Sequence, residues 1–193
     1  AEPLCGVDEA GAGPLAGPVY AAAVILPRGL ELPGLNDSKK LTEKRREALF
    51  DQIIAQAEAY CVAFVTAAEI YEMDILNARM LAMQRAIEGL SVRPDTAFID
   101  GNRDHGSRYA IEMPHQLIVG GDGKSASIAA ASIIAKVDRD ALMCRYAEQF
   151  PHYGFESNKG YASAEHIEAI KQYGLSPVHR ASFCRAWTQE ALF

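Results

Sequence analysis

The chain has 193 residues, 49% of them hydrophobic, which is enough for one sizeable core and gives no reason to expect a second. Its longest apolar runs, such as residues 19–26, are too short to span a bilayer, and its first residues lack a signal-peptide pattern, so we expect a soluble, cytoplasmic protein that does not bind membranes. The net charge of −6 disfavours a protein that holds nucleic acid by its overall charge. Positive charge is nevertheless concentrated in two clusters, Lys39, Lys40, Lys44, Arg45 and Arg46, and His179, Arg180 and Arg185.

The first half of the chain predicts a hairpin followed by a helix, a strand and a second helix. Residues 4–9 and 19–26 predict two apolar strands joined by a glycine-rich turn, which suits a hairpin at the centre of a sheet. Thr42 is a suitable N-cap for a helix that runs to about residue 57, and residues 60–66 predict a third strand. Residues 75–90 predict a longer helix, because apolar side chains recur there at helical spacing.

The second half predicts two more strands and then mainly helix. Residues 96–99 and 116–119 are short apolar runs that predict buried strands, and residues 125–150 predict one long helix. Residues 154–160 are typical of a loop, 164–173 of a short helix and 176–180 of a turn before a final helical tail. Strands and helices that alternate after an opening hairpin indicate an α/β fold with a mixed sheet.

Four acidic residues lie at or near the ends of predicted strands, each within two positions of a glycine: Asp8, Glu9, Asp100 and Asp122. An unpaired carboxylate is rarely buried beside an apolar strand, because its desolvation costs several kcal/mol. Magnesium takes octahedral oxygen coordination, so carboxylates that converge from separate strands suit one or two such ions. For any one of these acids alone, a solvated position at a loop entrance is the simpler interpretation.

Asp8 and Glu9 present a geometric difficulty, because adjacent side chains of a regular strand point to opposite faces of the sheet. Two explanations are open. The strand distorts near Gly11 and Gly13, or Glu9 contributes through its backbone carbonyl or a water molecule.

Ordered sequence blocks run along nearly the entire chain. They are GVDEAGAGPLAGPV at residues 6–19, DSKKL at 37–41, Asp100-Gly101, GDGKS at 121–125, AASIIAKV at 130–137, KGY at 159–161 and HRASF at 179–183. In composition and order these blocks closely resemble the ribonuclease HII family, and their number makes the resemblance specific.

The resemblance implies a ribonuclease H-like mixed sheet flanked by helices. Residues 1–150 would form the catalytic core, and residues 151–193 a C-terminal helical extension that packs on the core and helps to bind substrate. The resemblance assigns Asp8, Glu9, Asp100 and Asp122 as catalytic, metal-binding carboxylates for Mg²⁺ or Mn²⁺. The ions would activate a water and stabilise the leaving 3′ oxygen, giving a 5′-phosphate and a 3′-hydroxyl. The implied protein is a monomer, and its partners are RNA–DNA hybrids and DNA duplexes that contain ribonucleotides.

The resemblance also implies substrate contacts. The backbone of Gly11, Ala12 and Gly13 would recognise the ribose 2′-hydroxyl, and Tyr161 would stack on the following deoxyribose. Without the family, an aromatic that fills a loop would be the simpler interpretation of Tyr161. The candidate phosphate contacts are Lys39, Lys40, Lys159 and Arg180.

The chain departs from the family pattern at two positions. Ala12 stands where an arginine is usual between the two glycines, which removes a side-chain contact to the substrate but leaves the backbone available. Gly120 stands where a lysine is common, which removes a charge beside the metals. Neither departure touches a proposed ligand. Asp140, on the strongly helical stretch, is interpreted as an exposed acid paired with basic neighbours rather than as a fourth ligand.

Two other functions compete with this interpretation, namely nucleotide binding and the binding of hybrids without catalysis. Gly123-Lys124-Ser125 is similar to the end of a phosphate-binding P-loop, but Ile118 stands where that motif needs its first glycine. The glycines at 11, 13 and 17 likewise have the wrong spacing for a dinucleotide fingerprint, and a strand follows where that fold has a helix. A hybrid-binding module without catalysis is disfavoured, because such a module has no need for acids that repel phosphate.

Overall fold

A computed structural model of the protein describes residues 3–35, 40–104 and 106–188. A five-stranded mixed sheet forms its centre. The strands are β1 (Leu4–Ala10), β2 (Val19–Ile25), β3 (Ala59–Val65), β4 (Thr96–Asp100) and β5 (His115–Ile118), in the spatial order β3-β2-β1-β4-β5. β1, β2 and β3 pair antiparallel, whereas β4 runs parallel to β1 and β5 runs parallel to β4. The predicted mixed α/β sheet with a central hairpin is confirmed.

Six α-helices accompany the sheet in the described ranges. They are α1 (Glu43–Gln56), α2 (Ala67–Glu72), α3 (Ile75–Glu88), α4 (Ala126–Gln149), α5 (Phe155–Asn158) and α6 (Ala164–Tyr173). Thr42 caps α1 as predicted, since its side chain accepts a hydrogen bond from the Arg45 amide. None of the helices in the described part of the chain is both long and apolar enough to cross a membrane.

The sheet separates two hydrophobic clusters. Val7 of β1 and Ala21 of β2 face α3, where they pack with Met80 and Met83 in the first cluster. The alternate residues face α1 and α4 and form the second cluster, which includes Ala22, Val24, Ile53, Ile133 and Ile134. Side chains that alternate between the faces of each strand therefore decide which helix a given strand residue meets.

Helix α4 lies very close to β1. A Cβ atom added at Gly6 would lie 2.1 Å from the Ser127 carbonyl carbon and 2.3 Å from the Ile128 nitrogen. Because backbone atoms cannot move aside as a flexible side chain can, only glycine allows this approach. The contact fixes the first turns of α4 against the strand that carries Asp8.

The segment that follows α4 packs against the turn between β1 and β2. Leu15 and Ala16 of that turn share a third cluster with Met143, Phe155 and Ile170. Two short 3₁₀ turns, Ala181–Phe183 and Arg185–Trp187, follow α6, so the described part of the expected helical tail is 3₁₀ rather than α.

Two further elements differ from the sequence prediction. α2 was not predicted, although Thr66 and Glu69 form a capping box that marks its start. The expected loop at 154–160 contains the single helical turn α5, which begins after Gly154 in a left-handed conformation. One turn is too short for hydrophobic periodicity to reveal it.

Candidate active site

Asp8 and Asp100 meet on one face of the sheet. Val7 and Ile99 pair across the parallel strands β1 and β4, and both side chains lie on the α3 side. The next residue of each strand, Asp8 and Asp100, therefore lies on the α4 side at the carboxyl end. Asp122 follows β5 in a 3₁₀ turn, Gly121–Gly123. Three acids from separate elements thus reach the same edge of the sheet.

Glu9 lies on the opposite face of a regular strand, where its carboxylate forms an ion pair with Arg79 of α3 at 2.6 Å. The strand does not distort at this point, because the pairing of β1 with β2 continues through Ala10. Of the two explanations that were open, strand distortion is therefore wrong for the protein in this state. The Nε atom of Arg79 is buried and has no hydrogen-bond partner among the described residues.

All four acids line one cleft of about 610 Å³. Its other described lining residues are Ala10, Gly11, Ala12, Gly13, Arg46, Ser132, Lys136 and Tyr161. Burial raises the pKa of Asp8 well above its usual range, and the charges of Glu9, Asp100 and Asp122 raise it further. Burial also raises the pKa of Glu9, although the Arg79 charge opposes that shift. The cleft therefore concentrates negative charge that a cation would stabilise.

The carboxylates are not gathered around one point. Among the residues that the structure describes, no three Asp, Glu, His or Cys side chains form a ready cluster for one ion. Glu9 is turned toward Arg79, and Asp100 accepts a hydrogen bond of 2.7 Å from the Gly121 amide. The donor set is nevertheless suitable, because carboxylate oxygens without His or Cys in the described lining match Mg²⁺ or Mn²⁺.

Asp140 lies apart from this cleft. It lines a separate cavity beside Cys144, and its carboxylate accepts a hydrogen bond of 3.0 Å from Lys136. Its pairing with a basic neighbour is confirmed. The expectation that it is exposed is wrong, since only 8% of its surface is accessible. Glu43, Arg46 and Glu47 of α1 line the same cavity, a neighbourhood that the helical pattern alone could not indicate.

The loop between β1 and β2, residues 11–18, is called the glycine loop here. Gly11, Ala12 and Gly13 line the cleft, with Gly13 the most exposed of the three. Gly11 has a φ of +86°, and an added Cβ would lie 2.0 Å from Nε of Arg139, so this position requires glycine. At Gly13 an added Cβ would meet only the Tyr161 ring, at 3.8 Å.

Arg180 does not fit the predicted phosphate contact. Only 1% of its surface is accessible, and its guanidinium donates hydrogen bonds to carbonyls of the glycine loop. His179 is also buried, and burial lowers its pKa to about 4. The expected C-terminal basic cluster is therefore not a charged surface, because two of its three members are enclosed by the third hydrophobic cluster and the loop.

Of the other predicted substrate contacts, Tyr161 lines the cleft and Lys40 and Lys159 do not. Tyr161 is 44% exposed and lines the cleft, 5.9 Å from the Arg139 guanidinium. The Lys159 ammonium donates to the Glu156 carbonyl, and neither Lys159 nor the exposed Lys40 is among the described lining residues. Lys39 lies outside the described residues.

Several cleft residues carry no individual role in the sequence prediction. Arg46 belongs there only to a basic cluster, and Ser132 and Lys136 only to a motif, yet all three line the cleft. The spacing of Ser132 and Lys136, one helical turn apart, was the available signal. Arg79 and the buried Arg139 carried no such signal, because charged residues on predicted helices are ordinarily exposed.

The P-loop alternative has no support in the geometry. Ser125 caps α4 through its own side chain, which accepts a hydrogen bond from the Ile128 amide. The Lys124 ammonium donates to the Val119 carbonyl at 2.7 Å. Both side chains therefore complete a strand-to-helix turn.

The fold and cleft define the class of protein. The structure resembles the ribonuclease H2 of Pyrococcus horikoshii OT3 with a TM-score of 0.80 and 27% identity, over 97% of each chain. It also resembles Bst-RNase HIII in complex with Mn²⁺, with a TM-score of 0.72 and 21% identity, over 90% of this chain and 63% of that one. The protein thus has a ribonuclease H-like fold with an acidic cleft at the sheet edge.

Sequence comparison identifies the family. The family model described as Ribonuclease HII matches residues 5–186. A Ribonuclease HII of Neisseria meningitidis serogroup C is 53% identical over 180 residues, covering 92% of this chain and 90% of that protein. The chain belongs to the ribonuclease HII family, metal-dependent endoribonucleases that hydrolyse the RNA strand of RNA–DNA hybrids.

Proposed function

We propose that this enzyme also cleaves DNA duplexes on the 5′ side of embedded ribonucleotides, with two Mg²⁺ or Mn²⁺ ions, and leaves 5′-phosphate and 3′-hydroxyl ends. One observation carries the proposal. A single cleft combines four carboxylates with the backbone of Gly11 to Gly13 and with the exposed Tyr161. A phosphodiester beside the acids would therefore have its sugar within reach of groups that can distinguish ribose from deoxyribose.

Asp8, Asp100 and Asp122 would hold the ions, and Glu9 would join them through its backbone carbonyl or a water. When bound, the ions supply charge stabilisation at the phosphate and a more acidic water. The protein residues set the geometry. The Gly121 amide holds one oxygen of Asp100, and the Glu9 amide holds one oxygen of Asp8, so both carboxylates are oriented in advance.

Positive side chains in the cleft are suited to the substrate backbone. Arg46 and Lys136 line the cleft and replace Lys159 and Arg180 as our candidates for phosphate contacts. The third hydrophobic cluster supports a role for residues 151–193 as an extension that packs on the catalytic core. We expect the active species to be a monomer, which sedimentation of the protein would test.

The test uses a DNA duplex with one ribonucleotide, an all-DNA duplex of the same sequence and an RNA–DNA hybrid. With Mn²⁺ or Mg²⁺ we expect one cut 5′ of the ribonucleotide, no cut in all-DNA, and none in any duplex with a chelator. End-labelled products carrying 5′-phosphate and 3′-hydroxyl would support the proposed chemistry.

Asp100→Asn and Asp140→Asn form a matched pair of variants. Asp100→Asn should lose at least about a hundredfold in rate, roughly 2.7 kcal/mol of barrier, because it removes a ligand charge at constant volume. Asp140→Asn should stay within about tenfold of wild type, since Asp140 lies outside the cleft. Binding of hybrid without cleavage by the wild type would instead indicate a non-catalytic module. Cleavage of hybrid alone would exclude the activity on embedded ribonucleotides.

A further inference from the structure

Two arginines lie buried beneath the glycine loop. Arg139 of α4 and Arg180 near the C-terminus are each only 1% exposed. The Nη2 atom of Arg139 lies 2.9 Å from the Ala16 carbonyl oxygen of the loop. The Nη2 atom of Arg180 lies 2.6 Å from the Gly11 carbonyl oxygen. Both guanidinium groups therefore bind the backbone of the glycine loop.

Together they bind nearly all of the loop's carbonyl groups. The Arg180 guanidinium donates to the carbonyls of Gly11, Ala12, Pro14 and Gly17. The Arg139 guanidinium donates to those of Ala16, Pro18 and Lys159. The backbone amide of Arg180 donates to the Leu15 carbonyl. Within the described residues, Gly13 is the one loop position whose carbonyl receives no such bond.

Bound carbonyls determine where the amide groups point. In a planar trans peptide the C=O of one residue and the N–H of the next point in opposite directions, and the described chain contains no cis peptide bond. Because Arg180 holds the carbonyls of Gly11 and Ala12, the amides of Ala12 and Gly13 point away from it. Neither amide donates to a backbone acceptor among the described residues. Both residues line the cleft.

The buried charges add a second effect. No carboxylate of the described chain forms an ion pair with Arg139 or Arg180. Burial, followed by the charge of Arg139, lowers the pKa of Arg180 to about 9, so the group still carries its charge at neutral pH. Two positive charges under the loop therefore favour the approach of an anionic strand.

We propose that Arg180 and Arg139 are positioning residues for ribose recognition: they turn the carbonyls of the glycine loop inward, so that the Ala12 and Gly13 amides and the Gly13 carbonyl remain for a ribose 2′-hydroxyl. A hydroxyl both accepts and donates a hydrogen bond, and this set offers both partners. Recognition on this basis does not use the side chain at position 12, so Ala12 can replace the family's arginine. The inference rests on the proposed cleavage at embedded ribonucleotides.

Arg180→Lys is the first test, because lysine keeps the charge but cannot bind several carbonyls in a fixed fork. Binding is measured in EDTA by fluorescence anisotropy with two duplexes that differ only in one 2′-hydroxyl. The wild type should bind the ribonucleotide duplex more tightly. In Arg180→Lys and Arg139→Lys that preference should fall by about tenfold or to unity, because one or two net hydrogen bonds to the hydroxyl contribute about a tenfold difference in affinity. Ile53→Ala, a core change away from the loop, should lose stability but keep the preference.

A second measurement uses the wild-type protein and so does not depend on whether the variants fold. The amide resonances of Ala12 and Gly13 should shift when the ribonucleotide duplex is added and not when the all-DNA duplex is added. Three results would overturn the inference: a folded Arg180→Lys with the wild-type preference, a wild-type preference near one, or amides that do not respond to the hydroxyl. If the wild type shows the preference but does not cleave, the proposed function fails while this inference stands. If an Arg180→Lys variant cleaves and keeps the full preference for the ribonucleotide duplex, the inference fails while the proposed function stands.

Discussion

Asp8→Asn should stabilise the metal-free protein and abolish cleavage. Asp8 is only 6% exposed, and the charges of Glu9, Asp100 and Asp122 disfavour its ionised form, so its charge is costly in the folded state without a cation. Replacing it with neutral Asn, which has nearly the same shape and can still accept the hydrogen bond from the Glu9 amide, should raise the free energy of unfolding by about 2 kcal/mol. For a chain of this size that is an increase in Tm of about 4–8 °C.

Bound metal should make the wild type more stable than Asp8→Asn. At about one hundred times its Kd, a bound ion stabilises the wild type by about 2.7 kcal/mol, and the Asn variant should gain much less because it has lost a ligand charge. The assay is thermal unfolding in EDTA and in Mn²⁺, followed by circular dichroism. Asp140→Asn is the matched control, because Asp140 is similarly buried but paired with Lys136. It should lose stability in EDTA and respond to Mn²⁺ as the wild type does.

The pH dependence gives an independent check. Asp8 has a raised pKa in the folded state, so its contribution to stability is complete below the unfolded value of about 4 and is lost as the pH rises through the folded pKa. The advantage of Asp8→Asn in EDTA should therefore vanish near pH 4 and be largest at neutral pH. A variant that is less stable than wild type in EDTA at pH 7, or a wild type that Mn²⁺ does not stabilise, would refute the reasoning.

Three further predictions concern neighbouring positions. Gly6→Ala should lower Tm by about 6–12 °C, because the added methyl overlaps the backbone of α4 and overpacking of this kind costs about 3 kcal/mol. Gly123→Ala is the control and should leave Tm unchanged, since nothing lies within 4 Å of its new Cβ. Equal Tm values for the two variants in calorimetry would contradict this prediction. Ala12→Arg should steepen the loss of duplex affinity with salt by a slope of about one without changing the ribose preference, and an unchanged slope in an anisotropy salt titration would exclude the added phosphate contact. Arg79→Met should tighten Mn²⁺ binding by about tenfold in calorimetric titration, because it removes the positive charge that is paired with Glu9 at 2.6 Å. Weaker binding would show that Arg79 instead holds Glu9 in place for the ions.

Local sequence patterns were sufficient for most of the fold and for the acids. The caps, apolar runs and turn glycines predicted all five strands and the long helices, because these signals depend on residues close together in the chain. The four acids at strand ends also come together in one cleft, since the carboxyl ends of parallel strands meet at one sheet edge. Helices α2 and α5 were missed because one or two turns give little periodicity.

The tertiary structure alone decided the partners of the charged residues. The sequence predicts that Arg180 contacts phosphate at the surface, yet it binds the carbonyl of Gly17, 163 positions earlier in the chain. Glu9 meets Arg79 only because β1 places its side chain on the α3 side of the sheet. Sequence shows that a side chain is charged, but its burial and its partner depend on which distant segments pack around it. Those contacts form only when the sheet, α4 and the C-terminal segment assemble around the glycine loop.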